Sequence, residues 1–138
     1  MDVRFVAGFS PIVDDAAGAR RFYGEGLSLP LKVDLSSDYT EVDLAGLKHF
    51  GLWTLADAAR STFGRNAWPD DVPRPQATLE LEVDDVAAAV AELRGRGLEV
   101  LQEAREEPWG QTTARLLSPE GLLIGIVYTP ALRGEGTP

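Results

Sequence analysis

Apolar and polar positions along this chain fall into two similar series, one in each half. Residues 13–27 read V-D-D-A-A-G-A-R-R-F-Y-G-E-G-L, and residues 83–98 read V-D-D-V-A-A-A-V-A-E-L-R-G-R-G-L, an offset of 70. Each series begins as a strand-like run, reaches V-D-D, passes through an alanine-rich stretch and stops at G-x-G-L. Val86, Val90 and Leu93 recur at helical spacing, so one stripe of that helix is expected in the core; Ala16, Ala19, Phe22 and Tyr23 are the corresponding stripe in the first copy. An aspartate at each helix start can accept hydrogen bonds from unpaired N–H groups and favours the positive end of the helix dipole. Gly97 is expected to supply the left-handed stop of the second helix, and Gly24 or Gly26 the stop of the first.

Three strand-like runs follow each helix: 31–35, 39–44 and 47–54, then 99–103, 112–117 and 122–128. The pattern is βαβββ, twice, which predicts an α+β domain of two tandem modules. Module 1 covers residues 1–62, a linker 63–75, module 2 76–128 and a tail 129–138, the tail expected to be loose. The stretch 55–75 opens with a short helical A-D-A-A-R and continues rich in Pro and Asp; it is ordered only if Phe63 and Trp68 pack on something.

Composition narrows the chemistry. A length of 138 residues, 44% hydrophobic, suits one domain with its own core. The absence of cysteine removes disulfides, thiolate zinc sites, iron–sulfur clusters and a cysteine nucleophile. A net charge of −9 repels phosphate backbones and anionic membranes over a Debye length of about 8 Å, so nucleic acid is not an expected partner, whereas a neutral or cationic small molecule is. No apolar run approaches the ~18 residues needed to span a bilayer, and the first residues lack a signal-peptide pattern; a soluble cytoplasmic protein is expected. Phosphate-binding glycine loops and the G-x-S-x-G nucleophile elbow are absent. The G-E-G at 24–26 ends a helix rather than opening one.

Beyond the helix signatures, E-P-W-G-Q at 107–111 followed by S-P-E-G at 118–121 resembles the paired loop motifs in the last module of bleomycin-resistance proteins. With the doubled βαβββ pattern, the chain is similar over nearly its whole length to the vicinal-oxygen-chelate superfamily of glyoxalases, bleomycin-resistance proteins and dioxygenases. The resemblance implies curved mixed sheets around a cleft. In metal-using members the first and last strands of each module supply ligands. The matching positions here are Gly8, Gly51, Thr78 and Gly125, which lack the donors that a catalytic metal requires. The expectation is therefore no cofactor, and open space above Gly125 where a ligand fits.

Period-2 alternation names the cleft side chains. Gly51 brings His49 and Trp53 inward, Gly8 brings Val6 and Ser10, Thr78 brings Glu80 and Glu82, and Gly125 brings Leu123 and Val127. Phe9, Leu79, Leu81, Ile124 and Ile126 then form the core on the other face. Trp109 resembles the loop tryptophan that covers the bound molecule in drug-binding relatives. Trp53, Trp68, Phe63 and Tyr39 are further aromatic candidates, with Arg115 expected to neutralise one of the two glutamates. Glu82, beside V-D-D, reads as a solvated strand end. His49, the single histidine, is a wall residue first and otherwise, with Glu80, a proton-transfer candidate. The resemblance implies a metal-free protein that sequesters a hydrophobic or aromatic compound, as antibiotic-resistance members do, and a homodimer; the alternative is a metal-independent enzyme of the same superfamily.

Overall fold

The computed structural model describes residues 1–34 and 37–134; the far end of the 31–35 strand expectation and the last four tail residues lie outside them. Eight strands form one sheet: β1 (Phe5–Val13), β2 (Leu31–Val33), β3 (Thr40–Val42), β4 (Gly51–Thr54), β5 (Ala77–Glu82), β6 (Gln102–Glu106), β7 (Thr112–Leu117) and β8 (Leu123–Tyr128). Their order is β2-β3-β4-β1-β5-β8-β7-β6. The two βαβββ modules meet edge to edge through the antiparallel β1–β5 pair, while β1–β4 and β5–β8 are parallel. Parallel neighbours within a module need a crossover, which α1 (Ala16–Arg20) and α3 (Val86–Gly95) begin.

The second module follows its sequence pattern closely. Asp85 caps α3 by accepting from the Ala88 N–H at 3.0 Å, and Val86, Ala89, Val90 and Leu93 are buried against Ala114 and Ile126 on one sheet face. Gly97 ends the helix with φ +84. The first module departs from the pattern. Asp15 makes no side-chain cap, and the chain continues from α1 into a wider, π-type turn over Arg21–Gly26. That change of pitch breaks the 3.6-residue spacing, so the expected stripe is not buried; Phe22 is 59% exposed. The left-handed conformation after this turn belongs to Ser28, at φ 59, rather than to Gly24 or Gly26.

Strand ends also shift. β4 starts at Gly51, with only an isolated bridge from Phe50 to Phe9 before it, and β6 lies at 102–106 instead of 99–103. Between the modules, α2 (Leu55–Phe63) is capped by Thr54, whose hydroxyl accepts from the Asp57 N–H at 3.0 Å. Ala58, Ala59 and Trp68 are buried with Leu123, and Ile12, Trp53, Phe63, Leu101 and Leu117 pack around them. The tail is not loose where it is described: a short 3-10 turn at Pro130–Arg133 folds back on β5. Among the described residues no helix is long and apolar enough to cross a membrane.

Candidate functional site

Strand register fixes which side chains share a face. Lys32 pairs with Glu41 and Glu41 with Gly51; Ile12 pairs with Trp53; Gly8 pairs with Glu80, Glu80 with Gly125, Gly125 with Arg115 and Arg115 with Gln102. One continuous face thus carries Glu41, Gly51, Trp53, Gly8, Ser10, Thr78, Glu80, Glu82, Gly125, Leu123, Val127 and Arg115, and the opposite face carries Leu81, Ile124 and Ile126 against α3. Val6 is a correction. The register slips between Val6 and Gly8, so Val6 pairs with Leu81 and Phe5 with Glu82; the extra residue of the bulge, Ala7, exchanges the two faces of everything before it.

The space over the glycines is not open. A Cβ on Gly8 would lie 3.1 Å from the His49 carbonyl oxygen and 3.6 Å from its ring Cδ2; one on Gly51 would fall on the Tyr39 hydroxyl; one on Gly125 would lie 3.2 Å from both Arg115 Nη1 and Glu80 Cγ. The expected vacancy above Gly125 is therefore overturned: the glycines admit this chain's own side chains. His49 lies over Gly8, Tyr39 over Gly51, and Arg115 with Glu80 over Gly125. Thr78, at the fourth position, spends its hydroxyl on the Leu123 carbonyl at 2.9 Å.

These four side chains form two pairs, Tyr39 with His49 and Arg115 with Glu80. The Tyr39 hydroxyl is hydrogen-bonded to His49 Nε2, the rings lying 5.7 Å apart and within 10° of parallel. Burial is the main cause that raises the Tyr39 phenol well above its ordinary pKa; the Ser10 hydroxyl opposes this, while the Glu80 and Glu41 charges add to it. Arg115 is fully buried. Its Nη1 pairs with Glu80 at 3.4 Å, its Nε donates to Ser61 Oγ at 3.2 Å, and its guanidinium lies 4.9 Å over the Trp53 ring. A buried guanidinium needs such a set of partners.

Glu80 and Glu82, two apart on one face, each obtain an arginine, which removes the repulsion their spacing implies. Arg115 serves Glu80, as expected. Glu82 is fully buried rather than solvated, because the C-terminal turn brings Arg133 Nε to 2.8 Å from its Oε2 and the Thr129 N–H to 2.6 Å from the same oxygen. Arg133 also reaches Asp84 at 2.7 Å.

A second layer was not foreseen. Gln111 donates to Glu80 at 3.1 Å and to Thr129 at 2.9 Å, and its carbonyl accepts from the Trp109 indole at 2.9 Å. Glu107 is buried and accepts from Ser61 and Thr113, both at 2.8 Å, while Arg105 lies 3.3 Å from it. Gln111, Thr113 and Arg115 share strand parity, a signal that alternation alone carries; Ser61 is legible only once α2 is docked.

Trp109 sits on the 107–110 turn, closed by the Gly110 N–H to the Glu107 carbonyl at 2.9 Å, and the residue is 58% exposed. Phe63 and Trp68, expected at the ligand, instead pack edge to face at 4.9 Å. Trp68 is buried and donates to the Val72 and Pro73 carbonyls, so this pair belongs to the core. Beside Tyr39, an open depression of ≈ 360 Å³ is lined by Lys32, Val33, Asp34, Tyr39 and Glu41.

The superfamily implies a divalent ion in some members, and the residues here do not fit one. None of the four strand positions offers a donor side chain that is free, His49 Nε2 is engaged by Tyr39, and Glu80 by Arg115 and Gln111. Among the described residues no three His, Cys, Asp or Glu side chains converge as ligands would.

The family model described as Glyoxalase/Bleomycin resistance protein/Dioxygenase superfamily matches residues 9–126. The chain belongs to this superfamily. Solved structures agree on the fold. A superfamily member from Vibrio splendidus superposes with a TM-score of 0.58 at 13% identity, over 93% of this chain and 100% of that one. A Streptomyces coelicolor methylmalonyl-CoA epimerase variant in complex with 2-nitronate-propionyl-CoA gives 0.56 at 16% identity, over 99% and 100%. A protein from Legionella pneumophila described as an NAD-dependent benzaldehyde dehydrogenase gives 0.57 at 13%, over 88% and 96%. Identities this low establish the fold alone. A search of curated proteins by sequence finds no match.

Proposed function

We propose that this superfamily member binds a small organic molecule, hydrophobic or aromatic and neutral or cationic, on the concave face between its modules, and that it does so without a metal, in the manner of a sequestering drug-resistance protein. The observation that carries this reading is Trp109. A largely exposed tryptophan on a tight turn, hydrogen-bonded through Gln111 to Glu80, is a pre-positioned aromatic surface coupled to the polar centre. An exposed tryptophan loses solvation when a planar compound stacks on it, which is worth a few kcal/mol before ordering costs. Trp53 and Tyr39 extend the aromatic lining.

The proposal includes a second copy of the chain and a cytoplasmic setting. Phe22, Leu27, Val33, Leu44 and Leu47, all in the first module, are exposed apolar side chains that pairing of two chains would cover.

Titration with planar aromatic compounds, read by tryptophan fluorescence and thermal shift, tests the binding reading. Saturable quenching is expected, with affinity about tenfold weaker or more in Trp109→Ala, equivalent to ~1.4 kcal/mol. Absence of quenching and of stabilisation across such a panel contradicts it.

A further inference from the structure

We infer that Arg133 is a positioning residue for Trp109: seated on β5, it holds the C-terminal turn in a chain of hydrogen bonds that sets the indole, so that the exposed tryptophan and the turn are fixed or released together. This rests on the small-molecule reading above, in which Trp109 is the contact surface, and adds a means of controlling it.

One side chain seats the turn. Pro130–Arg133 buries none of its residues, so loss of apolar surface contributes little. Arg133 instead spreads its guanidinium over three acceptors: Nε donates to Glu82 Oε2 at 2.8 Å, Nη1 to Asp84 at 2.7 Å and Nη2 to the Val83 carbonyl at 3.0 Å. It also lies 4.6 Å from the Tyr128 ring centroid and 5.9 Å from that of Phe5, within cation–π range. Glu82 makes the seat cooperative. Its carboxylate is fully buried, and Oε2 accepts from two groups of this same segment, Arg133 and the Thr129 N–H at 2.6 Å; among the described residues Oε1 has no hydrogen-bond partner. Lifting the turn leaves a buried charge without its cation until water enters, so Arg133 and Thr129 leave together.

From Thr129 the chain runs on to Trp109 with a fixed polarity. An indole N–H can only donate, so the Gln111 carbonyl faces it at 2.9 Å, and the Gln111 amide nitrogen donates to Thr129 Oγ1 at 2.9 Å and to Glu80 at 3.1 Å. Reversing the amide sets two donors against each other at Trp109 and a carbonyl against a carboxylate at Glu80. Gln111 is itself buried, so its orientation, and that of the indole it holds, depends on these partners. When the turn lifts, the amide nitrogen keeps Glu80 and loses Thr129, and Trp109 gains freedom. The coupling is reciprocal: a ring stacked on Trp109 holds the turn down by the same factor.

The test needs no ligand. Exchange of the Trp109 indole proton with water, followed by NMR, is expected to rise about fivefold in Arg133→Ala, the scale of one lost neutral hydrogen bond. The Trp68 indole, bonded to the Val72 and Pro73 carbonyls, should keep its rate and so report an intact fold. Arg133→Lys, which retains a cation beside Glu82, should recover part of the difference. Thr129→Val keeps the N–H to Glu82 and removes the hydroxyl, so it cuts the chain with the turn in place; exchange at Trp109 should rise, and adding Arg133→Ala should raise it little further. Unchanged Trp109 exchange in Arg133→Ala, or effects of the two substitutions that simply add, overturns the inference. If Arg133→Ala speeds Trp68 and Trp109 alike, the fold has loosened as a whole and Thr129→Val decides: a rise confined to Trp109 supports the chain, and no rise refutes it. Because no ligand enters these measurements, a failed titration with aromatic compounds defeats the binding reading without altering this result.

Discussion

The two modules share one plan and divide its uses. In the second, both sheet faces are covered: α3 packs on one with four buried side chains, and α2, from the connection between modules, covers the other through Ala58 and Ala59 against Leu123. In the first, β2 and β3 are three residues long and β4 four, and α1 has no buried residue. The difference teaches where stability and chemistry reside. The second module supplies a core that over-determines Arg115 and Glu80; the first supplies short strands and glycines, which leave room for Tyr39 and His49 to lie over the sheet.

Substitutions that remove atoms from each module sharpen this contrast most. Leu123→Ala, in the fully buried layer under α2, is expected to cost ~2 to 5 kcal/mol by loss of burial and creation of a cavity. Leu27→Ala, exposed in the first module, should stay within about 0.5 kcal/mol. Urea unfolding measures both, and equal losses would break the comparison.

The next test adds atoms instead. Gly51→Ala places a methyl group where the Tyr39 hydroxyl lies, beside the Thr40 carbonyl, and overpacking of this kind costs ~1 to 3 kcal/mol. The same change at Gly121, where a Cβ meets nothing within 4 Å, is a poor control because its φ is +95. Gly95→Ala, in open space with no positive φ, is the proper one and should be neutral or slightly stabilising. The readouts are the urea midpoint and the Tyr39 ring signals by NMR.

Legibility followed the same division. Alternation of period 2 placed Glu80, Gly125, Trp53 and Gly51 on one face because strands repeat every second residue whatever their neighbours are. It failed at Val6, since a one-residue bulge has no compositional signature. It failed again in the meaning of the glycines: a missing side chain reads as a vacancy in sequence, whereas tyrosine and arginine reach across from adjacent strands to fill it. Glu82 was misread because its partner, Arg133, lies 51 positions away in a tail with no strand or helix period. Phe63 and Trp68 were candidates both for packing that orders the 55–75 stretch and for ligand contact; the structure shows the packing, which the sequence could not choose because nothing in it shows where α2 docks on the sheet.

The smallest expected effect concerns acid. Hydrogen bonds from Arg4 first, then Arg133, lower the Asp84 carboxyl to about 2. A depressed folded-state value means that its contribution is present above the unfolded value near 4 and is lost as pH falls from there toward 2. Asp84→Asn should therefore flatten a small part of the fall in melting temperature over that window and leave the neutral-pH slope unchanged. An unaltered acid profile would show that this surface cluster, which fastens the C-terminal turn to β5, adds nothing to the second module's advantage.

The central claim is that glycines at the sheet's inward positions admit a polar quartet of Tyr39, His49, Glu80 and Arg115. Its most direct test is a crystal structure grown in the presence of zinc, with anomalous data at the zinc edge. The account predicts His49 over Gly8, Tyr39 over Gly51 and Arg115 over Gly125, with no anomalous peak between them. A zinc ion held there by His49 and Glu80, with Tyr39 and Arg115 swung away from the glycines, would contradict it.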